Sequence, residues 1–471
     1  MIAGREKPFQ THDPVREAVE LVNEDRIFEA ESFLFECSDS PSHPAATRCQ
    51  LALLALEIEN PRLALRLMRT ALDTAPLSPE VRFVAGVTDR ALGRLSEARE
   101  HFSFARPESN PNAAYYLSLV QESLGDPVSA RDSIGLALAQ NPQDADYLNQ
   151  SACIAARLGD FDEALSLSGQ ALRAEPSSAG FAFNHAQNLL LAGRASEAWP
   201  LFESRLAFTP EHLHPGNGSA AWEGQPLNGK TLLVWHEQGL GDSIQFSRFL
   251  PSVASRAGKV LFRCQPSLAG LFSSSLPGIE ILSSAEKSPH TDFHAPLLSL
   301  PGLLGANLDA PPPSIFPAHN PAASLQRIGF ACAGNPNHPD DAARSLPLEL
   351  FKPLFGNRFE WLCLQKNLRP GEALPPGIPH PGAAFSDFIE TARALASMDL
   401  VVSADTAIAH LSASLGKPTW VLLPLCPDWR WGRTGNHTPW YPSARLFRQH
   451  EPGNWESVIK NIATQLIDPW N

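Results

Sequence analysis

Residues 152–176 read ACIAARLGDFDEALSLSGQALRAEP, with alanine at 152, 164 and 171, glycine at 159 and proline at 176. The same spacing recurs on both sides of this stretch. Gly93, Gly125, Gly159 and Gly193 stand 32, 34 and 34 residues apart, each followed five residues later by Ala98, Ala130, Ala164 or Ala198. Ala105, Ala137 and Ala171 follow at twelve residues, where Arg205 breaks the series; Pro142, Pro176 and Pro210 follow at seventeen, where Asn110 and then Pro111 stand in the earlier unit. Carried backwards, the frame meets Glu59 with Ala64, Ala71 and Pro76, then Asp25 with Ala30 and Cys37. Seven residues ahead of each anchor lies a small residue: Ala18, Ala52, Gly86, Ser118, Ala152 and Ala186.

A period of this length is the mark of a repeat array in which each unit is a helix pair. Glycine supplies the turn, small residues let the helices approach, and proline cannot continue the second helix. The pattern resembles the tetratricopeptide repeat over residues 11–212, in about six units. Arrays of this kind present a surface that holds peptides or proteins, or else act only as scaffolds.

After Pro210 the helical period stops, and residues 213–230, rich in Gly, Pro and Asn, read as a linker. Thr231–Trp235 (TLLVW) is a short apolar run expected to be a strand, followed by a glycine turn and an amphipathic helix. Lys259–Arg263, Gly278–Leu282, Arg327–Ala333, Glu360–Leu364, Leu400–Ala404 and Thr419–Leu423 are further expected strands. Their alternation with helical segments predicts parallel, doubly wound sheets. The proline-rich stretch Ala310–Pro321 divides this half into two lobes, 231–315 and 325–471. The fold class is therefore a helical solenoid followed by two Rossmann-like α/β lobes, with a ligand cleft at the carboxyl ends of the strands.

Composition narrows the function. Hydrophobic residues at 43% and charged residues at 18% fit a globular chain, and the formal charge of −13 argues against nucleic acid as the main partner. Seven scattered cysteines without a CxxC pair favour a reducing compartment and give no zinc signal. No stretch is apolar enough to span a membrane and no secretory signal opens the chain, so the cytoplasm is the expected location.

Two loops carry the candidate chemistry. In the turn Glu237-Gln238-Gly239-Leu240-Gly241-Asp242, Ile244 takes the third glycine position of a dinucleotide fingerprint. Asp242 would oppose a pyrophosphate there, which disfavours a nicotinamide oxidoreductase. An acid at a helix start suits capping or proton abstraction. In the second loop, strand LVVSA runs into Asp405, Thr406 and, one turn on, His410, where free amides, a hydroxyl and an imidazole suit a diphosphate. Lys417 suits the far end of that helix. A transfer that uses no metal needs cations to neutralise a departing diphosphate, for which Arg344 and Lys366, beside Gln365, are the candidates; each also reads as a solvated surface charge. Asp340 and Asp341 read as turn formers, and no metal is assigned. Near the C-terminus Trp429, Trp431, Trp440 and Tyr441 stand with Arg430 and Arg433, in a pattern that fits either base or sugar stacking or a packed surface between the lobes.

Residues 222–471 resemble the bacterial glycosyltransferases that include the lipopolysaccharide heptosyltransferases (glycosyltransferase family 9-like), in the branch where tetratricopeptide repeats precede the transferase. The resemblance is carried by WEGQPLNGKTLLVWHEQGLGDSIQFSRFLP, ACAGNPNHPDDAARSLPL, WLCLQK, DLVVSADTAIAHLSASLGKPTWVLLP and PDWRWGRTGNHTPWYPSARLFRQ, in that order. It implies a GT-B fold and an inverting, metal-independent transfer with no cofactor. It also implies an acceptor side in the first lobe and a nucleotide-sugar donor held by the second. Asp242, in its Gly239/Gly241 loop, is then the general base, and Arg344, Gln365, Lys366, Asp405, Thr406 and His410 lie on the donor side. Arg344 stands where those enzymes place lysine, and Ala407 where they usually place glycine, so the sugar is left open. The expected partners are a nucleotide-sugar and a protein, peptide or glycan-precursor acceptor. The alternative is a repeat-based adaptor whose transferase-like half only binds.

Overall fold

The computed structural model describes residues 13–467 apart from 41, 318–324, 339 and 357. Residues 11 and 12, expected to open the array, lie outside the described residues, as do 318–321 of the proline-rich bridge.

Six helix pairs follow the repeat frame: Pro14–Asn23 and Ile27–Asp39 (α1, α2), Ala45–Glu57 and Pro61–Thr74 (α3, α4), Pro79–Ala91 and Leu95–Phe104 (α5, α6), Pro111–Ser123 and Pro127–Gln140 (α7, α8), Ala145–Arg157 and Phe161–Ala174 (α9, α10), and Ala179–Leu191 and Ala195–Phe202 (α11, α12). The frame has a backbone cause. Gly93, Gly125, Gly159 and Gly193 all take the left-handed conformation in the turn between paired helices, with φ between 73° and 85°. Where the frame lacks glycine, Asp25 and Glu59 are forced to φ of 57° and 58°, so the turn is set by the repeat and not by its residue. The framed alanines are buried because only a small side chain fits between the helices. At Gly86, whose helix α5 pairs with α6, an added Cβ would lie 2.7 Å from the Phe102 ring.

The chain divides into two compact units, one ending at Ile154 and one beginning at Ala155. The first is built on Leu34, Leu51, Leu67, Met68, Val81 and Val84 with the framed alanines between them. The second holds the last helices of the array and two five-stranded sheets.

The first sheet has the strands Ala220–Ala221 (β1), Thr231–Trp235 (β2), Lys259–Cys264 (β3), Glu280–Ser283 (β4) and Phe293–Pro296 (β5), in the order β1-β5-β2-β3-β4. The second has Arg327–Ala331 (β6), Glu360–Cys363 (β7), Leu400–Ala404 (β8), Thr419–Leu423 (β9) and Ala444–Arg448 (β10), in the order β10-β9-β8-β6-β7. Every pairing is parallel. Helices Leu240–Phe246 (α13), Leu250–Ala254 (α14), Pro266–Ser275 (α15) and Leu300–Leu304 (α16) belong to the first lobe; Asp341–Arg344 (α17), Phe388–Ala396 (α18), Ala407–Ser414 (α19) and Trp455–Gln465 (α20) belong to the second. Residues 213–230, expected as linker, include β1, whose pairing with β5 makes them part of the first sheet. Strand β6 ends at Ala331, two residues before its expected end, because the Cys332 and Ala333 amides donate to Gln365 Oε1 instead of to a neighbouring strand.

Each sheet reverses its winding beside one strand: between β2 and β5 in the first, between β6 and β8 in the second. At such a switch point the crossovers leave to opposite faces and open a crevice at the strands' carboxyl ends. The Glu237–Asp242 turn follows β2, and the Asp405–His410 segment follows β8. Both candidate loops therefore stand at switch points. None of the described helices is long and apolar enough to cross a membrane.

Candidate functional site

The turn after β2 delivers Asp242 to the first turn of α13. Its Oδ2 accepts the Gly239 N–H at 2.9 Å, and its Oδ1 accepts Nη2 of Arg430 at 2.6 Å. Asp242 is thus both the cap of α13 and an ion-pair partner of Arg430. The loop is held from behind by Gln265, which donates to Gln238 O at 2.9 Å and accepts the Ser243 hydroxyl at 2.8 Å.

The two loops meet. A Cβ added to Gly241 would lie 2.7 Å from Cδ2 of His410, so α13 approaches α19 as closely as a glycine allows. Replacing Gly241 with alanine is expected to force the ring aside and destabilise the fold by about 1–3 kcal/mol. A chemical denaturation midpoint equal to that of the unaltered protein would show that the ring yields freely.

His410 is the hub of the second loop. Its Nδ1 lies 2.8 Å from the Tyr441 hydroxyl, its Nε2 lies 3.4 Å from Asp405 Oδ1, and its ring stacks on Trp431 at 5.2 Å. Burial pushes the Tyr441 phenol up, so its hydroxyl keeps its proton and can donate to Nδ1, while Nε2 faces Asp405. Burial opposes ionisation of Asp405, but the hydrogen bond and charge of His410, then Trp431 and Arg344, outweigh it and hold the carboxyl below its ordinary value. Both imidazole nitrogens are engaged within the protein. The first amides of α19 are capped by no side chain, and beside them the Thr406 hydroxyl lies 3.0 Å from that of Ser403.

Arg344 is half-buried at the end of α17, and its Nε is buried with no hydrogen-bond partner among the described residues. The turn that carries it is fixed by Asp341, which accepts the Ser345 hydroxyl at 2.7 Å and pairs with Arg369. Asp340 pairs with Arg157. Gln365 faces inward and spends its amide on Cys332, Ala333 and the Asn367 carbonyl, so it shapes the loop after β6. Lys366 is exposed beside it. Lys417 donates to Ala396 O at 2.9 Å.

The C-terminal aromatics divide by role. Trp429 packs edge-on against Trp199, Phe202, Phe246 and Trp440, forming a surface shared by the last repeat and both lobes. Arg430 runs between them: its guanidinium lies over Trp429 and Phe246 and pairs with Asp428 and Asp242, each at 2.6 Å. Burial works against this charge, yet Asp428 and Asp242 outweigh it and raise the pKa. Arg433 pairs with Asp162 at 2.7 Å. Among the described residues, no group of three or more His, Cys, Asp or Glu is arranged to hold a metal ion.

One feature gave no sign in the sequence, and another showed only as an irregularity. The Asp242–Arg430 pair joins residues far apart in the chain, and no local pattern announces it. Arg205, in contrast, was visible as the break in the alanine series. It forms a two-pronged ion pair with Glu237, at 2.7 and 2.8 Å, in the turn that leads to Asp242.

Comparison with known proteins bears on the first half most directly. The tetratricopeptide repeat model matches residues 49–108 and 149–211, and the helix pairs of this chain are repeats of that kind. Protein FlbA of Caulobacter vibrioides is 27% identical over 430 residues, covering 80% of this chain and 71% of that protein. A tetratricopeptide repeat protein of Parabacteroides merdae is similar at 16% identity and a TM-score of 0.36, over 41% of this chain and 78% of its own. PilF of Pseudomonas aeruginosa is similar at 17% identity and a TM-score of 0.35, over 43% and 91% respectively.

Proposed function

We propose that the second half of the chain is a GT-B glycosyltransferase that moves a sugar from a nucleotide-sugar to a protein or glycan-precursor acceptor, without a metal and with inversion. The observation that carries this reading is the meeting of two switch-point loops, one bearing the Asp242 carboxylate and the other an uncapped helix tip. In the proposed reaction Asp242 takes the proton of an acceptor hydroxyl. That oxygen bonds to the anomeric carbon from the face opposite the leaving group. The carbon–oxygen bond to the nucleoside diphosphate breaks, and the departing oxygen keeps the electron pair. The α19 amides, Thr406, Arg344 and Lys366 supply the donors and charge that stabilise it. Positioning and electrostatics account for most of the rate.

One observation favours a second reading, an adaptor that binds without turnover. Both oxygens of Asp242 already accept hydrogen bonds, one of them from a guanidinium. A thermal-shift screen against UDP-, GDP-, ADP- and dTDP-sugars, followed by product analysis with the donor that binds, separates the two. Binding with release of the nucleoside diphosphate supports the transferase. Binding without turnover across an acceptor panel supports the adaptor, and no binding of any donor removes both.

A further inference from the structure

The register of the first sheet places Arg263 opposite Trp235 and His294 opposite Leu233, so these side chains share the face away from the main core. Segments around residues 212–217 and 288–291 run over that face. Trp235 donates from its indole to His294 Nδ1 at 3.3 Å and meets the His214 ring at 5.1 Å. Arg263, 5% exposed, donates to the Ser288 hydroxyl at 2.8 Å and to the Leu213 carbonyl. Its Nε is buried without a partner, and no carboxylate among the described residues pairs with it.

At the end of the same strand pair, the His236 amide donates to the Arg263 carbonyl at 2.9 Å; His236 is 6% exposed, with neither ring nitrogen hydrogen-bonded among the described residues. Burial, then the charges of Arg263 and His212, push this imidazole down to about 4; burial and His214 lower His294 as well. The rings are thus neutral near pH 7 and can offer N–H groups without adding charge. Arg48 and Arg248, also buried, each donate to several carbonyls, and neither has a buried nitrogen without a partner among the described residues. A buried guanidinium served only by neutral acceptors is costly, and an anion offsets that cost. Exposure grades from His212, on the surface, through half-buried His214 and His294, to buried His236 and Arg263.

We propose that Arg263 and His236 form an anion subsite at the carboxyl edge of the first sheet, one strand away from the Asp242 turn, fitted to a carboxylate or phosphate group. Anion binding there stands by itself. Its assignment to the acceptor rests on the transferase reading, since Gln265, two residues beyond Arg263, buttresses the loop that bears Asp242.

The test uses the full-length protein with ring-13C histidine, titrated by NMR with orthophosphate, D-glucuronate or, as a neutral control, D-glucose, at constant ionic strength and with no sugar donor present. His236→Gln assigns the His236 signal. The expected result is a saturable shift of that signal with a Kd of about 1 mM or tighter for at least one anion and none for glucose. Arg263→Met should weaken this by about tenfold or more, with Arg263→Lys as the milder variant if the first does not fold. Saturation by phosphate alone identifies a phosphorylated ligand, and by glucuronate alone a sugar acid; either supports the subsite. A His236 signal unmoved by both anions, or moved equally in the Arg263 variants, overturns it. Because no sugar transfer is measured, that failure is distinct from failure of the transferase reading.

Discussion

Under the proposed transferase reading, replacing Asp242 with asparagine is expected to lower sugar transfer by about a hundredfold or more while leaving donor binding in place. Asparagine keeps the size of the side chain and one carbonyl oxygen, so it can still accept from Gly239 or from Arg430. It cannot take up the acceptor proton. Arg430 loses the charge of one partner but retains Asp428 at 2.6 Å, so the guanidinium is not left unpaired in the interior. The relevant measurement is kcat with the donor identified by thermal shift, alongside the shift itself. A proton acceptor affects kcat, whereas a residue that merely shapes the pocket affects donor affinity. If the variant turns over at the original rate, Asp242 is a cap and an ion-pair partner and nothing more. Arg430→Met provides the complementary case. It frees Asp242 from its guanidinium, so a fall in turnover there with the carboxylate intact would mark Arg430 as a residue that aims the base.

How far the sequence could be read depended on the range of the interactions involved. The repeat frame was fully legible because its causes are local: a left-handed turn at Gly93, Gly125, Gly159 and Gly193, and a small residue wherever two helices cross. Strands β2, β8 and β9 were legible for the same reason, as uninterrupted apolar runs buried on both faces. Strand β5 (FHAP) and strand β10 (ARLFR) were missed, since one contains a histidine and a proline and the other alternates with arginine. Neither looks apolar until its neighbours are known. Strand β1 is two residues long and is defined only by its pairing to β5. Within the candidate site, position along the chain pointed to Asp242 and to the Asp405–His410 segment, because each ends a recognisable strand. It could not reveal that Gln365 turns inward to three backbone groups, that Tyr441 engages His410, or that Arg430 reaches Asp242. The first two depend on how the second lobe folds on itself and the third on how the two sheets meet, which no local pattern encodes. The aromatic cluster illustrates this. The same composition served both readings, and only the packing showed Trp429 and Trp440 buried in a shared surface while Trp431 lies against the imidazole.

Disrupting the Arg205–Glu237 pair by changing either partner alone is expected to destabilise the unit from Ala155 onward by about 3–5 kcal/mol. The side chains are 3% and 0% exposed, so solvent cannot take over the role of a missing partner. The pair also sits in a network. Arg205 donates to Ser299 at 2.7 Å and to Glu203 at 2.8 Å, while Glu237 accepts the Leu298 amide at 3.1 Å in the turn after β5. Arg205→Met leaves a buried carboxylate without its cation. Glu237→Gln leaves a buried guanidinium whose remaining anionic partner, Glu203, is partly exposed. Removing both charges together, as in Arg205→Met with Glu237→Gln, avoids stranding either one. That double variant should therefore lose less than the sum of the singles, by about 1–3 kcal/mol. Urea unfolding followed by tryptophan fluorescence reads the relevant unit, since Trp199, Trp429 and Trp440 pack together beside this network. Additive losses would mean that the two charges act independently despite their contact. Losses near zero would mean that the last repeat is not anchored here, and that the break in the alanine series at Arg205 has another cause. The expected result ties that break to the turn that positions Asp242, so a residue that departs from the repeat serves the neighbouring lobe.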